Sequence, residues 1–411
     1  MLRRLISKLL AVYADAYRDL PREVWLLSLA LLVNRAGTMV LPFLSLYLTR
    51  ELGLPTPDAG KLIAVYGAGA VTGSALGGWL SDRVDPVRVQ RWTLVLTGAL
   101  MLSLIGVTET WLLALLFFLV GMVGDAFRPA MMVAVTRSST PEQRTRSFAL
   151  MRLAANAGMA IGPGTGGWLA SVNYDLLFVV DAVTCVGAAA VLLIALPTLP
   201  SDAGGEEEDA VWPSLAPARD FPFLMFLVVI FAVSVSFFQV FTVLPLHLRD
   251  SYGLQEGSIG SILALNAIII VVFEMVLLRR LERIEPLHVA AVGGLLLGAG
   301  LAMLPLGPPL IFAVLATMVW TLGEMLLLPI STVIVASRAG PSNTGGYMGF
   351  YLVTFGIAFV VAPWLGTHVY EHYGPGMLWG ATGIIGLLIA AGCVALRPWL
   401  GRRASEDSQS A

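Results

Sequence analysis

Hydrophobic positions in this chain neither alternate nor keep to one stripe of a helix. They run in blocks of roughly 19–27 residues, separated by short polar breaks, and each block is long enough to cross a bilayer core of about 30 Å as a helix. About twelve such blocks occupy 23–48, 58–81, 89–108, 111–135, 146–170, 174–196, 222–248, 257–280, 287–305, 309–336, 345–369 and 375–396. A helix apolar all round belongs in lipid or deep in a core. The pattern therefore predicts an all-α polytopic membrane protein with 12 transmembrane helices.

Composition agrees. Of 411 residues, 57% are hydrophobic and 13% charged, with mean hydropathy +0.82; soluble domains carry about 25% charge. So little lies outside the spans that a separate catalytic domain is excluded. Most Lys and Arg fall in the termini and in the loops after even-numbered spans, with Arg50, Lys61 and Arg249 on the other side. The positive-inside rule then predicts both termini in the cytoplasm, in the cell (inner) membrane. No cleavable signal peptide is evident. Met1–Leu20 is basic and amphipathic, which predicts a helix on the inner leaflet. Cys185 and Cys393 lie within spans as small apolar fillers. The four histidines have no metal-ligand spacing, so no metal is expected, and no cofactor. Trp25, Trp92, Trp111, Trp212 and Trp379 fall near span ends, as in an interface belt.

The densest local signal is Gly158-Met-Ala-Ile-Gly162-Pro163-Gly164-Thr-Gly166-Gly167. Gly158, Gly162 and Gly166 recur every four residues and line one helix face, which lets two backbones approach closely. Pro163 removes a donor and bends the helix. Such a seam at mid-membrane predicts a part that rocks against another.

The chain also repeats itself at a constant offset. Leu44–Leu54 (LSLYLTRELGL) matches Leu244–Leu254 (LPLHLRDSYGL), and Asp82-Arg-Val-Asp-Pro86 matches Glu282-Arg-Ile-Glu-Pro286. With one residue of slip, Gly124-Asp125 and Pro129 match Gly323-Glu324 and Pro329. The expected organisation is a cytoplasmic amphipathic segment at 1–22, a six-helix bundle at 23–196, a linker at 197–221 with the acidic run Glu206–Asp209, a second pseudo-symmetric six-helix bundle at 222–396, and a tail at 397–411. Many secondary transporters are built from two such halves around a midplane site.

On these motifs the chain resembles the major facilitator superfamily over essentially its whole length. Gly78, Asp82 and Arg83 resemble that family's loop between the second and third helices. The resemblance implies that Asp82 meets the start of the eleventh helix, here Asn343-Thr344-Gly345, and latches the halves in the outward-facing form; a carboxylate is favoured at a helix N-terminus. The sequence departs from that motif at Asp85 and at Pro86-Val87. Gly158–Gly167, including Gly162, Pro163 and Gly166, resembles the fifth-helix motif of the drug:proton antiporter branch. Weaker local similarity, in Asn34-Arg35, Phe127-Arg128-Pro129 and Gly323-Glu324, points to proton-coupled oligopeptide transporters.

A charge at the bilayer centre costs roughly 2.5–3.5 kcal/mol on insertion scales and tends to face a cavity or a partner. Arg35, Asp125, Arg128, Glu274 and Glu324 are such charges, with Asp181 nearer the outer end of its span. Glu324 and Asp125, equivalent in the repeat, are the candidate proton-coupling carboxyls. Arg35, Asn34, Arg128, Gln239, Asn266 and Glu324 are the candidate substrate contacts. Glu274 is expected to pair with a nearby arginine, and Arg152 to anchor the inner end of its helix. The expected partners are lipids, protons and a small molecule, acting on a monomer, with no nucleic acid.

The function expected is secondary active transport by alternating access, as proton-coupled efflux of amphipathic or drug-like compounds. Proton-coupled uptake of a zwitterion such as a short peptide or amino acid is the alternative, and a non-transporting sensor or lipid-handling protein the third. No nucleophile–base pair or phosphate cradle supports an enzyme.

Overall fold

Residues 17–196, 216–281 and 283–400 are described by the computed structural model. Residues 1–16, the linker over 197–215 with Trp212 and the acidic run, Glu282, and the tail over 401–411 lie outside them. Among the described residues every regular element is helical.

The first span is Arg22–Glu51 and the second Thr56–Ser81. The third is Pro86–Ser103, the fourth Thr110–Arg137, the fifth Pro141–Val172 and the sixth Asp175–Ala195. The second half continues with Phe221–Thr242 and Leu244–Asp250 as the seventh, Glu256–Leu281 as the eighth and Pro286–Ala302 as the ninth. The helical run Leu310–Leu400 that follows is folded back on itself. The hydroxyls of Ser331 and Tyr351 lie 2.8 Å apart, whereas twenty residues of straight helix would separate them by about 30 Å. Arg338 Nη1 likewise donates to the carbonyl of Trp399 at 3.0 Å. The chain thus reverses between Ser331 and Tyr351, and again near Gly374, whose φ of 83° suits glycine alone. Leu310–Ala339 is the tenth span, and Gly345–Leu400 holds the eleventh and twelfth.

Bare aliphatic and aromatic side chains cover the outside, among them Val172, Val183, Leu193, Ile194 and Leu387. Such a surface suits lipid, which is as apolar as leucine. Trp25, Trp92 and Trp111 are exposed as an interface belt requires, but Trp379 is fully buried. It packs against His247 with ring centroids 5.5 Å apart, inside a cluster with Tyr252 and Tyr370.

The repeat is visible in three dimensions. Gly53 and Gly253, equivalent in sequence, both have positive φ, 66° and 65°. Asp85 caps the third span by accepting from Val87 N at 3.0 Å; Glu285 caps the ninth by accepting from Leu287 N and His288 N. The sequence departure at Asp85 is therefore a helix cap. Arg50 and Asp250, also equivalent, form an ion pair between the halves.

The first span is interrupted at Thr38–Met39, between helical segments Arg22–Gly37 and Val40–Leu46. Pro42 accounts for this, since its ring displaces the carbonyl four residues earlier, that of Thr38.

At the terminus-bearing face, the one that holds Tyr17 and Leu400, Arg338 grips Asp220 with two bonds, Nε to Oδ2 at 2.7 Å and Nη2 to Oδ1 at 2.8 Å. The Tyr347 hydroxyl donates to Oδ2 at 2.8 Å. Asp220, just outside the seventh span, thereby ties that helix to the tenth, eleventh and twelfth. Burial alone would raise its pKa, but the bonds from Arg338, Tyr347 and the Phe223 N–H outweigh it and hold the carboxyl below its usual value. A depressed carboxylate adds stability above its unfolded pKa of about 3.9, and that stability is lost as pH falls through the folded value. Asp220→Asn is expected to lower stability by about 1–3 kcal/mol at neutral pH and to flatten the acid limb of a plot of melting temperature against pH in detergent.

Candidate functional site

The fifth span is held between the two halves by two different faces. Its Gly158–Gly162–Gly166 face meets the first span where that helix is interrupted. A methyl group at Gly162 would lie 3.1 Å from the carbonyl oxygens of both Arg35 and Thr38 and 3.3 Å from that of Ala36. At Gly158 it would lie 2.5 Å from Arg35 Cβ, and at Gly166 2.6 Å from Met39 Cβ. The glycines are thus fitted to backbone exposed by the break. The neighbouring face, Pro163 and Gly167, meets the eighth span of the other half. A methyl at Gly167 would run into the Glu256 carbonyl and lie 3.0 Å from Gly260 Cα. The second half repeats this contact, because a methyl at Gly60 would lie 2.8 Å from the Pro363 carbonyl and would overlap the Thr367 hydroxyl.

These contacts, the Arg50–Asp250 pair and the Tyr174 hydroxyl donating to Glu256 Oε1 at 3.1 Å all lie toward the face away from the termini. That face is closed. At the terminus-bearing face, Asp82 is exposed, and its carboxylate makes no hydrogen bond or ion pair among the described residues. Arg83 turns back on its own helix, stacking over Trp79 at 4.3 Å and donating to the Trp79 carbonyl. Gly78 faces Pro129 of its own half. Gly345 and Gly349 have open space where a side chain would stand. Among the described residues the halves are bridged here by Arg152, which pairs with Glu274, and by the Tyr17 hydroxyl, 3.9 Å from Met275 Sδ. The arginine expected beside Glu274 is therefore the fifth span's Arg152, not Arg279 or Arg280 of its own helix.

Between the two faces the intramembrane charges form two sets. In the first half, Arg35 and Arg128 are the cations whose fields reach Asp125. Tyr66 of the second span lies within reach of Asp125, Arg35 and Asp181. Asn34 donates to Cys185 Sγ at 3.5 Å. Arg128 is exposed and acts on Tyr351 across the interface.

In the second half, Asn266 Nδ2 donates to Glu324 Oε2 at 2.9 Å and to Thr321 Oγ1 at 3.0 Å. Among the described residues Glu324 has no arginine in hydrogen-bond range; the charges acting on it are Glu274 and Arg152. Asn266 stands at the repeat position of Tyr66, so each half sets a polar group of its second helix against a carboxyl of its fourth. Gln239 lies apart from both sets, buried, donating to the carbonyls of Val235 and Ala362 at 3.1 and 3.0 Å.

A chain of aromatic rings runs from the first set into the second half. Tyr66 meets Phe359 at 6.0 Å, Phe359 meets Phe238 at 4.7 Å, Phe238 meets Phe355 at 6.1 Å and Phe355 meets Tyr351 at 5.3 Å. Phe238 of the seventh span and Tyr351 of the eleventh belong to this chain of rings. Phe237 and Phe241 pack beside it, whereas Tyr347 serves Asp220. Sequence reading passed over Tyr66, Phe359 and Asp220. The offset that aligns Asn266 with Tyr66 was the signal available for the first.

Two pseudo-symmetric helical bundles, a seam of glycines between them and charges held at mid-membrane define a membrane transporter rather than an enzyme. Residues 26–351 match the Major Facilitator Superfamily, and the chain belongs to that family. It is 23% identical over 363 residues to a Na(+), Li(+), K(+)/H(+) antiporter of Planococcus maritimus, covering 80% of this chain and 85% of that one. It is 27% identical over 324 residues to the multidrug resistance protein MdtH of Citrobacter koseri, covering 76% and 78%. A crystal structure of a peptide transporter POT in complex with sulfate superposes with TM-score 0.77 at 18% identity, over 93% of this chain and 96% of that one. That last likeness is one of fold.

Proposed function

We propose that this transporter couples proton entry to efflux of small amphipathic or drug-like compounds by alternating access. The observation that carries this reading is the fifth span, whose two glycine faces pack against the first span of its own half and the eighth of the other. A helix shared in this way lets one half rock on the other without losing its own packing. The similarity to MdtH supports a drug-like cargo, and the similarity to a cation/H(+) antiporter supports exchange against protons.

Glu324 is the proton carrier in this reading. Its hydrogen-bond partner is the neutral amide of Asn266, which can donate to a carboxylate or to the carbonyl oxygen of a carboxylic acid. Asp125 faces two arginines and serves mainly to balance them. Arg35, Asn34, Arg128 and Asn266 line the path of the cargo. The halves are taken as 23–196 and 222–396, joined by the 197–221 linker, in a monomer. The terminus-bearing face is the cytoplasmic one, so the conformation described is open to the cytoplasm. Asp82 without a partner agrees with a latch that engages only in the outward-facing form.

The opposite charges of Arg35 and Arg128 on one side and Glu324 on the other favour a second reading, uptake of a zwitterion. Transport by purified protein in liposomes under an imposed pH gradient separates the two. A lipophilic cationic dye moving against the proton flow, indifferent to a labelled dipeptide, is the expected result, with Arg35→Ala retaining dye transport within about tenfold. Dipeptide moving with protons, and lost in Arg35→Ala, would replace efflux by uptake.

A further inference from the structure

Asp181 of the sixth span takes no part in the scheme above, yet it is one of the most buried charges in the protein, 4% exposed. It lines a small cavity of about 30 Å³ with Thr38, Tyr66 and an apolar wall that includes Leu44, Phe117 and Val120. The cavity lies against the interruption of the first span, since Thr38, Val40 and Leu41 line it as well. Oδ1 of Asp181 receives only the weak Cys185 thiol, at 3.7 Å. Oδ2 has no hydrogen-bond partner among the described residues.

Room for one water requires roughly 10–15 Å³ of such volume and two to four polar partners. The cavity is large enough, and Asp181, Thr38 and Tyr66 are the polar residues of its lining. The Thr38 hydroxyl donates to the Asn34 carbonyl at 3.1 Å, so its lone pairs stay available. A small metal cation wants about six oxygen ligands. Three oxygens among hydrocarbon walls suit a water and a proton instead. The titratable and charged groups that face Asp181 are Arg35 from the first span, Tyr66 from the second and Cys185 on its own helix. Asp125 of the fourth span stands beyond Tyr66 and shares Arg35. The third span contributes Met101 and Leu104, which carry no charge.

We propose that Asp181 is a proton-binding site separate from Asp125 and Glu324, served by a single water in the cavity at the break of the first span. In the binding step a hydronium in the cavity gives its proton to Oδ2 and leaves a neutral water, so no other reactant is needed. With the proton bound, Arg35 is left to Asp125. With the proton gone, both carboxylates act on Arg35, at the point where the first span is interrupted and packed on Gly158 and Gly162. Proton occupancy at Asp181 thereby bears on the same seam on which the halves move. This rests on the proton-coupled reading only for its role in the cycle, because the site itself can be tested without transport.

The test is infrared difference spectroscopy of the purified protein, titrated from about pH 5 to about pH 9 with no substrate present. A carbonyl stretch from a buried protonated carboxyl is expected in the wild type and lost in Asp181→Asn, while the bands of Asp125 and Glu324 remain. Thr38→Val and Tyr66→Phe, which keep Asp181 and remove one water partner each, are expected to move the midpoint of that band by about half to one pH unit. They keep the test decisive if Asp181→Asn does not fold. Identical spectra in wild type and Asp181→Asn would overturn the site, as would wild-type midpoints in both Thr38→Val and Tyr66→Phe. Loss of the band together with an absence of pH-driven transport in the wild type would keep the site and reject the coupled function.

Discussion

Replacing Gly167 by valine is expected to stop transport while leaving a folded protein. The added side chain would run into the Glu256 carbonyl and sit 3.0 Å or less from Gly260 Cα, both in the other half. Backbone cannot yield as the tip of a side chain can, and overpacking of this kind costs about 1–3 kcal/mol or more. The clash exists only while the face away from the termini is closed, so the protein relieves it by opening there and staying open. A penalty of that size shifts a two-state balance by about 5- to 150-fold, and turnover in liposomes should fall by at least about fivefold. Gly73→Val is the control. A methyl there would lie 2.6 Å from the Met122 carbonyl carbon, within one half, where no rocking motion relieves it. That variant is expected to lose folded yield instead. If Gly167→Val turned over at the wild-type rate, the fifth–eighth contact would not be part of the cycle.

The second large effect is at the carboxyl bonded by Asn266. Glu324→Gln is expected to lose pH-gradient-driven transport by at least about tenfold, coupling free energies being ordinarily about 1–3 kcal/mol. Exchange of substrate across the membrane without net proton movement should persist, because glutamine can still accept from Asn266 Nδ2. Asp125→Asn should behave differently. It takes away the carboxylate whose charge offsets the repulsion between Arg35 and Arg128. It is therefore expected to lower the melting temperature in detergent, whereas Glu324→Gln is not. Wild-type pH coupling in Glu324→Gln, with coupling lost in a stably folded Asp125→Asn, would exchange the two roles.

Much of the fold was legible because a bilayer asks for one simple pattern. Apolar blocks of the right length marked all twelve spans, and an exact offset between Leu44–Leu54 and Leu244–Leu254 marked the two halves. The two positive-φ glycines and the paired Arg50 and Asp250 sit at equivalent positions in that repeat. The close packing of Gly158, Gly162 and Gly166 was legible from their spacing. That the face meets the first span, and that Pro163 and Gly167 meet the eighth, was not, since spacing fixes a face and says nothing of its neighbour.

The break at Thr38 had a local cause in Pro42, but a proline in a membrane helix sometimes bends it and sometimes interrupts it, and only the packing decides. Glu274 was legible as a paired carboxylate, though its partner, Arg152, comes from a helix more than a hundred residues away. Asp220 could not be found from sequence. Beside the apolar start of the seventh span it resembles any helix cap, and its partners Arg338 and Tyr347 arrive from two other spans.

The most direct test of the account is a pair of distances measured by double electron–electron resonance in lipid nanodiscs. One pair of spin labels would replace Glu51 and Ser251 at the face away from the termini. The other would replace Arg83 and Gly345 at the terminus-bearing face. The account predicts two populations that trade places with pH, the first distance lengthening as the second shortens, with Gly167→Val held in the long-first, short-second population. A single pair of distances, unmoved by pH and unchanged in Gly167→Val, would contradict it.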